Sequence, residues 1–564
     1  MRRLHTKAQL AVLAALTAAW FIIRGYAFGL NDHCIHLGFL LHELDGSLLA
    51  KDPLIASAPS HPSLFWTLQA PLLRWVPVEP TYLCVHVISV ALMFAGTGAL
   101  ARALYPGRHA DWVGVLAGVA VLVPHHLAGI AHMDPLVLNR TVSLGPLLFA
   151  LALGAARRYR LAFLVTGAVF LIHPTTAIHA GILLTLAAAL DRGRRKEAVL
   201  GPMVGALAAS PLLFSMARHG SAAQVPFPPP DDWVLLTRIM VSSHHYPSQW
   251  PASEWLQLLG QAAVLTMSLR ARRCRRAEIF ALGIFVTCVA GAIGTEWLHF
   301  PAALHLHLQE SLRFLTFLTA ICGARWVLET WPAPGERRLP GLAAALAYFG
   351  FAVTLVSITL LGVVGSLVLR PPSRVRPHVP SLRGPLALAA VLVVVVPPVR
   401  ARFTTTPAFF APRVDMYEGA RMMAWSRQHL PSDAVVVLPP FFGARDVAYR
   451  YGARRATFTT FKDGAEGSFS LAFMRDWRAR MEALCACRPF ERLAAREDRP
   501  WLDRVRELRE TIRMGYREAD AARLRGLAAR YGATHAVIEA KAPPPLELPL
   551  VYSDDEFRIY RIDP

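Results

Sequence analysis

Asp32 is the first side chain in this 564-residue sequence placed to do chemistry. It stands in Gly29-Leu30-Asn31-Asp32-His33, directly after an apolar run over 8–28. A carboxylate at the edge of an apolar layer is partly desolvated. That raises its pKa and suits it to take a proton from a hydroxyl. The same position would N-cap a helix continuing over 35–44, and both roles can coexist. Asp45 and Asp52 flank a turn and are read as turn residues. A second cluster is His132-Met133-Asp134-Pro135, followed by Asn139-Arg140. An acid and an arginine six residues apart could bind a phosphate and position an acceptor, or form an interfacial salt bridge. Asn139-Arg140-Thr141 also matches a glycosylation sequon.

Two further clusters carry cations and imidazoles. One is Arg238, then His244-His245-Tyr246 and Trp250. Arginine and histidine hold phosphate oxygens through charge-assisted hydrogen bonds, and the aromatic rings offer faces to a sugar or to the membrane interface. The other is His305-Leu306-His307-Leu308-Gln309-Glu310, then Arg313. Arg313 enters an apolar run, where an ion is costly and becomes a functional candidate, with Glu310 or Glu296 as its partner. His173-Pro174 reads as a turn between two spans. No phosphate-loop, dinucleotide or zinc pattern occurs. The seven cysteines are scattered. Cys485 and Cys487 are too closely spaced for an easy disulfide, and no disulfide framework is implied.

These residues need elements to hold them. Of the side chains, 54% are hydrophobic and 17% charged, which excludes disorder and argues against a wholly soluble enzyme. The net charge of +20 invites a nucleic-acid reading, but its distribution opposes it. Residues 401–564 hold 27 basic and 22 acidic side chains, and 1–400 hold 32 and 17. The basic residues of the first part cluster in short connectors between apolar runs, at 102–108, 157–160, 192–196, 270–276, 325–338 and 370–383. The positive-inside rule places those connectors in the cytoplasm. The expectation is a polytopic α-helical membrane protein of about 13 spans: 8–28, 81–104, 111–131, 141–156, 160–173, 175–190, 197–216, 255–270, 277–298, 311–328, two short passes inside 340–369, and 384–399. Under this topology most histidines and acids lie outside, in large outer loops 29–80 and 217–254 and shorter ones. Two interfacial helices are expected in the first loop, over 31–49 and 63–75. Residues 401–564 form a C-terminal extracytoplasmic α/β domain. Its expected strands are 434–438, 457–461, 535–540 and 557–562, and its expected helices 417–429, 469–484, 501–514 and 519–531.

The layout resembles the GT-C superfamily of membrane glycosyltransferases. The likeness rests on Asn31-Asp32-His33 opening a large outer loop, on polar outer turns such as His132-Met133-Asp134 and His173-Pro174, and on an outer α/β domain with Trp425–Val437 and 531–538 stretches. It implies the cytoplasmic (inner) membrane of a bacterium and a polyprenyl-phosphate-linked sugar as donor. It also implies inverting transfer to a glycan or protein acceptor on the outer face, among membrane lipids and without nucleic acid. Asp32 would be the general base, with Asp134 assisting the acceptor. Arg140, His245 and Arg313 would neutralise the leaving phosphate, and His33, Arg238, His244 and Gln309 would complete the substrate-binding set. Family members often pair two acids in the first loop. Here His33 follows Asp32, so a lone acid suits a metal-free base and only a divalent cation is left open as a cofactor. The alternatives are a lipid or polyanion transporter, or a non-catalytic envelope assembly factor.

Overall fold

Apolar runs bounded by arginine fold into helices in which every backbone polar group is satisfied internally, as a bilayer demands. In this computed structural model the described residues are 5–107, 109–218, 225–330, 339–352, 354–368, 410–443, 446–495, 499–541 and 545–562. Among them, five stretches are long and apolar enough to cross a membrane: Thr6–Arg24, Val78–Leu104, Glu197–Arg218, Arg275–Trp297 and Pro301–Thr330. Shorter helices pack between them, including Asn139–Ala155, Tyr159–Phe170, Pro174–Ala189 and Ala252–Ala271. The chain is a multi-pass membrane protein.

Several helices touch backbone to backbone through glycine. A Cβ on Gly96 would lie 2.8 Å from the Leu148 side chain and 2.9 Å from the Gly145 carbonyl. Small residues let helices without a hydrophobic driving force approach closely. Gly96→Val is therefore expected to push Val78–Leu104 off Asn139–Ala155 and to destabilise by about 1–3 kcal/mol, read as a lower thermal midpoint in detergent.

The expected double pass over 340–369 is present as helices Leu339–Ala352 and Val356–Val368. Gly350 and Gly362 bring them into backbone contact, and Thr354 turns the chain at φ 59°. The span expected at 384–399, the basic segment 370–383 and the boundary at 400/401 lie outside the described residues. The span expected over 111–131 is corrected. Its helix is Ala110–Ala120, and the chain then makes a hairpin of His126–Leu127 with Ile130–Ala131. Pro124 has no N–H to continue a helix, and Ala128 and Gly129 take positive φ in the turn.

The C-terminal part is built on a five-stranded sheet in the order Ala456–Thr457, Val435–Val437, His535–Glu539, Phe557–Arg561, Leu550–Ser553. The first three are parallel and the last two antiparallel. Helices Leu471–Cys485, Trp501–Arg517 and Ala521–Tyr531 cover it. Of the strand expected over 457–461 only Thr457 is paired, as the second residue of Ala456–Thr457. A Cys485–Cys487 disulfide corrects the sequence expectation. Ala486 ends its helix in the left-handed region, at φ 48°, and turns the two cysteines toward each other.

The segments at both large loops, 29–80 and 217–254, are woven into this part. Tyr26 and Phe28 share a buried cluster with Met422 and Val436, while Trp233 and Tyr246 share another with Trp477 and Tyr516. Tyr26–Ala27 pairs in parallel with Phe410–Ala411, and the Ala448 amide donates to the Gly29 carbonyl at 2.8 Å. The loop that carries Asp32 is thus strapped to the tail just before the carboxylate.

Candidate active site

Asp32 occupies the N-cap position of the His33–Leu44 helix, yet its side chain makes no capping hydrogen bond. It points instead at two cations. Arg140 Nη2 donates to Oδ2 at 2.6 Å, and Lys462 Nζ lies 2.8 Å from Oδ1. Arg140 in turn donates from Nε to Asp134 Oδ2 at 2.8 Å. The four groups form an alternating row: Lys462, Asp32, Arg140, Asp134. Burial alone would raise the Asp32 pKa, but Lys462 and Arg140 hold it well below the ordinary carboxylate range. This corrects the expectation of a raised value: the desolvation is present, and the cations outweigh it. The Asp32 charge in turn raises the Lys462 pKa.

Each member of the row is held from behind. Arg140 opens the Asn139–Ala155 helix, where the buried Asn139 carbonyl oxygen Oδ1 accepts from the Arg140 amide. That burial rules the sequon out as an exposed acceptor. Lys462 opens the 3-10 turn Lys462–Ser468, whose Asp463 is gripped by the buried Arg450. Arg450 also makes two bonds to Asp52, at 2.8 and 3.0 Å. Asp52 does serve its local turn, accepting from the Leu54 amide, but its larger role is this buried ion pair.

Asp32, Arg140 and Lys462 line a cavity of about 320 Å³. Its wall is rich in imidazole: His36, His61, His173, His244, His305 and His307. The remaining carboxylates on it are Glu310 and Glu466, each paired with a histidine. Glu310 Oε1 lies 2.9 Å from His307 Nδ1, and Glu466 Oε2 lies 3.1 Å from His61 Nδ1. Phe469 sits among His61, His305 and His307, with ring centroids 5.5, 5.6 and 5.8 Å away. At Phe170 and Ile178 the cavity meets an apolar groove of about 590 Å³ between Tyr159–Phe170, Pro174–Ala189 and Glu197–Arg218. Its wall includes Phe163, Gly167, Gly181, Ile182, Gly205 and Leu213.

Of the residues expected from sequence, the structure brings Asp32, Arg140 and His244 to this cavity. His244 also places Nδ1 3.1 Å from the Ala128 carbonyl. The others do not line it. Asp134 stands one step back, holding Arg140. His33 is buried, accepting from the Gly29 amide and bonding the Val137 carbonyl through its other nitrogen. Arg238 pairs with Glu296 at 3.5 Å and lies over the Tyr246 ring. Gln309 donates to the His245 carbonyl, and His245 packs edge-on against His307 with centroids 4.3 Å apart. Arg313 is buried 3.7 Å from Glu310, the partnership read from the sequence. In this turn His307 and Glu310 reach the cavity wall, while Gln309 is held back by the His245 carbonyl and Arg313 lies behind Glu310.

Sequence reasoning missed Lys462, Glu466, Arg450 and His61; it named the turn that carries His307 and Glu310 but not the pairing of those two on the cavity wall. One signal was available for Lys462: only five of the 59 basic residues are lysine. Among the described residues, no group of three or more His, Cys, Asp or Glu side chains is arranged to hold a metal ion. Asp32 itself faces an ammonium and a guanidinium, so the donor set does not fit a divalent cation.

A multi-pass helical membrane protein with an α/β sheet packed on its large loops, and a charged cavity between the two, is the class that the fold and site define. A family profile described as a domain of unknown function (DUF6798) matches residues 418–484. Among solved structures, the chain is similar to ArnT from Cupriavidus metallidurans bound to undecaprenyl phosphate, at 12% identity and a TM-score of 0.46, covering 99% of both chains. It is also similar to the same protein in the apo state, at 15% identity and a TM-score of 0.46, covering 99% of this chain and 98% of that one. No curated protein matches.

Proposed function

We propose that this chain is a GT-C-type membrane glycosyltransferase that moves a sugar from a polyprenyl-phosphate donor to a glycan or protein acceptor, with inversion. The observation that carries the reading is the junction of a charged cavity, which holds Arg140 and Lys462, with an apolar groove at Phe170 and Ile178. A lipid phosphate has that same division: a long apolar chain and an anionic head. The groove suits the chain, and Arg140 and Lys462 suit the phosphate, whose charge grows as the sugar leaves.

Asp32 then has two successive states. Before the donor arrives it is the counter-ion that keeps two cations side by side. A bound phosphate competes for the same cations, and a carboxylate relieved of them regains proton affinity when an acceptor hydroxyl is to be deprotonated. Asp134 acts by holding Arg140 rather than by meeting the acceptor. The site lies on the extracytoplasmic side in this reading. Tyr159–Phe170 begins beside Arg157, Arg158 and Arg160 and ends at the cavity, while Pro174–Ala189 starts at the cavity and ends near Arg192, Arg194 and Arg195. The basic ends belong in the cytoplasm, so the cavity faces the other way.

The test is release of polyprenyl phosphate, with transfer of label, from a panel of polyprenyl-phosphate-linked pentoses and hexoses by envelope membranes enriched in this chain. Transfer by those membranes above the level of membranes lacking the chain is expected; equal levels reject the reading. The groove gives a second prediction. Gly181 lines it, and a Cβ there has only ordinary contact with Thr166. Gly181→Phe is expected to raise the KM for a long-chain donor about tenfold, equivalent to about 1.4 kcal/mol of lost binding, and to spare a donor with a two-isoprene chain.

A further inference from the structure

The leaving phosphate needs more than fixed cations if it departs as a basic oxygen, and the cavity holds a group suited to that task. His307 is a strained residue, held in the left-handed region at φ 48° and ψ 45°. Strain of this kind in a β-carbon residue persists only where the surroundings over-determine it, and it concentrates at functional sites. Three contacts do so here. Phe469 stacks on the ring at an interplanar angle of 10°, His245 packs against it edge-on, and Glu310 takes its Nδ1 at 2.9 Å. Glu310 is itself buried with Arg313 at 3.7 Å. Arg313, Glu310 and His307 thus make a row that ends at the cavity wall. With Nδ1 committed to a carboxylate, Nε2 is the nitrogen left for the cavity, where no protein group among the described residues bonds it.

The position of this imidazole decides what it would meet. The turn that carries it packs on Pro174–Ala189, with His179 Nε2 2.8 Å from the Leu306 carbonyl, and that helix is also a wall of the apolar groove. Arg140 and Lys462, the cations proposed for the phosphate, line the same cavity as His307. A lipid-borne phosphate that enters along the groove helix is therefore brought into the cavity that His307 lines, and the acceptor is left to meet Asp32.

We infer that His307, oriented by Glu310 and through it by Arg313, is the proton donor to the departing phosphate. This rests on the proposed glycosyl transfer and adds its acid. The bond from the sugar anomeric carbon to the phosphate oxygen breaks, and its electron pair stays on that oxygen, which takes the Nε2 proton. The acceptor oxygen forms the new bond to the anomeric carbon and gives its proton to Asp32. His307 returns to the neutral ring with its proton on Nδ1, donated in a hydrogen bond to Glu310, and solvent restores the proton at Nε2. The titratable and charged groups around it are His305 and Glu310 on its own turn, His244, His245, His173 and His179 on the neighbouring elements, and Arg313 and Arg140 beside Glu310.

The test uses the full chain in lipid nanodiscs and a polyprenyl-phosphate-linked sugar on which the wild type turns over. His307→Gln keeps a hydrogen-bond donor of similar reach but cannot give up a proton. It is expected to lower kcat about 10²-fold, to abolish the alkaline limb of the kcat–pH profile, and to leave thermal midpoint and donor KM near wild type. The defect should shrink with a polyprenyl-diphosphate-linked sugar, whose departing group is a weaker base. A folded variant with wild-type kcat, or one whose defect is equal with both donors and whose alkaline limb persists, overturns the assignment while the transfer reading stands. If the variant does not fold, the wild type decides: an alkaline limb present with the monophosphate donor and weaker with the diphosphate donor supports the assignment, and an identical limb with both overturns it. A wild-type chain that turns over neither donor rejects the transfer reading and this assignment together.

Discussion

Asp32→Asn is expected to reduce sugar transfer by about 10²- to 10⁴-fold while the protein still binds polyprenyl phosphate. The two halves of that outcome come from the two states of the carboxylate. As a base it contributes only once an acceptor hydroxyl is present, so its removal falls on kcat. As a counter-ion it competes with the phosphate for Arg140 and Lys462, which approach it to 2.6 and 2.8 Å. An amide competes less, so the donor KM should stay level or fall. The measurements are turnover of labelled donor and, separately, binding of polyprenyl phosphate in nanodiscs. Full turnover in a folded variant would remove Asp32 as the base. Loss of lipid binding along with turnover would reduce it to a structural tie.

The same variant should change how stability depends on pH. The folded-state pKa of Asp32 is depressed, so its contribution is fully present above the ordinary carboxylate range and is lost as pH falls through the depressed value. Wild type should therefore lose part of its thermal midpoint on acidification that Asp32→Asn no longer has to lose. A midpoint that falls equally in both proteins would mean that other carboxylates carry the acid sensitivity.

What could be read from the sequence divides by distance along the chain. Apolar runs are local, so the apolar helices were legible, including the pair over 340–369 and the five long enough to cross a membrane among the described residues. The helix that should run over 111–131 was not, because apolar residues resume after Pro124-His125-His126 and hide a hairpin that turns at Ala128 and Gly129. Asp32 and Arg140 stood out by residue type and by their place after apolar runs, but their bond joins positions 108 apart. Lys462 sits in a polar turn of the tail, and nothing local marks it as the partner of a carboxylate in the first loop. Strand Leu550–Ser553 is mostly exposed at the sheet edge, so it shows no alternation of buried and exposed positions to read. The error at Gln309 and Arg313 is one of orientation rather than of place. The right turn was selected, and the face of that turn that meets the cavity carries His307 and Glu310 instead.

Arg450→Met should be among the most destabilising single substitutions in the chain, at about 3–5 kcal/mol. The guanidinium is 2% exposed and makes four hydrogen bonds, two to Asp52 and two to Asp463, at 2.8 to 3.0 Å. Both carboxylates are buried, so removing the cation leaves two anions facing each other in a place that water does not reach. Backbone amides offset some of that charge, since Thr457 donates to Asp52 and Thr460 to Asp463 at 2.8 Å each. They were already engaged with the cation present and cannot replace it. The penalty is thus one of unpaired charge rather than of lost attraction, which makes a distinguishing test available. Arg450→Met combined with Asp52→Asn and Asp463→Asn should recover most of the lost thermal midpoint, because a neutral cluster has no charge left to strand. If the triple variant is no more stable than Arg450→Met, the loss comes from packing of the arginine stem against Gly38 instead. Activity should not recover with stability. Asp463 follows Lys462 directly, and the grip of Arg450 on Asp463 is what presents that lysine to Asp32. A stable triple variant with weakened phosphate binding is the expected result, and it would show that this buried ion cluster sets the position of a site cation as well as the stability of the fold.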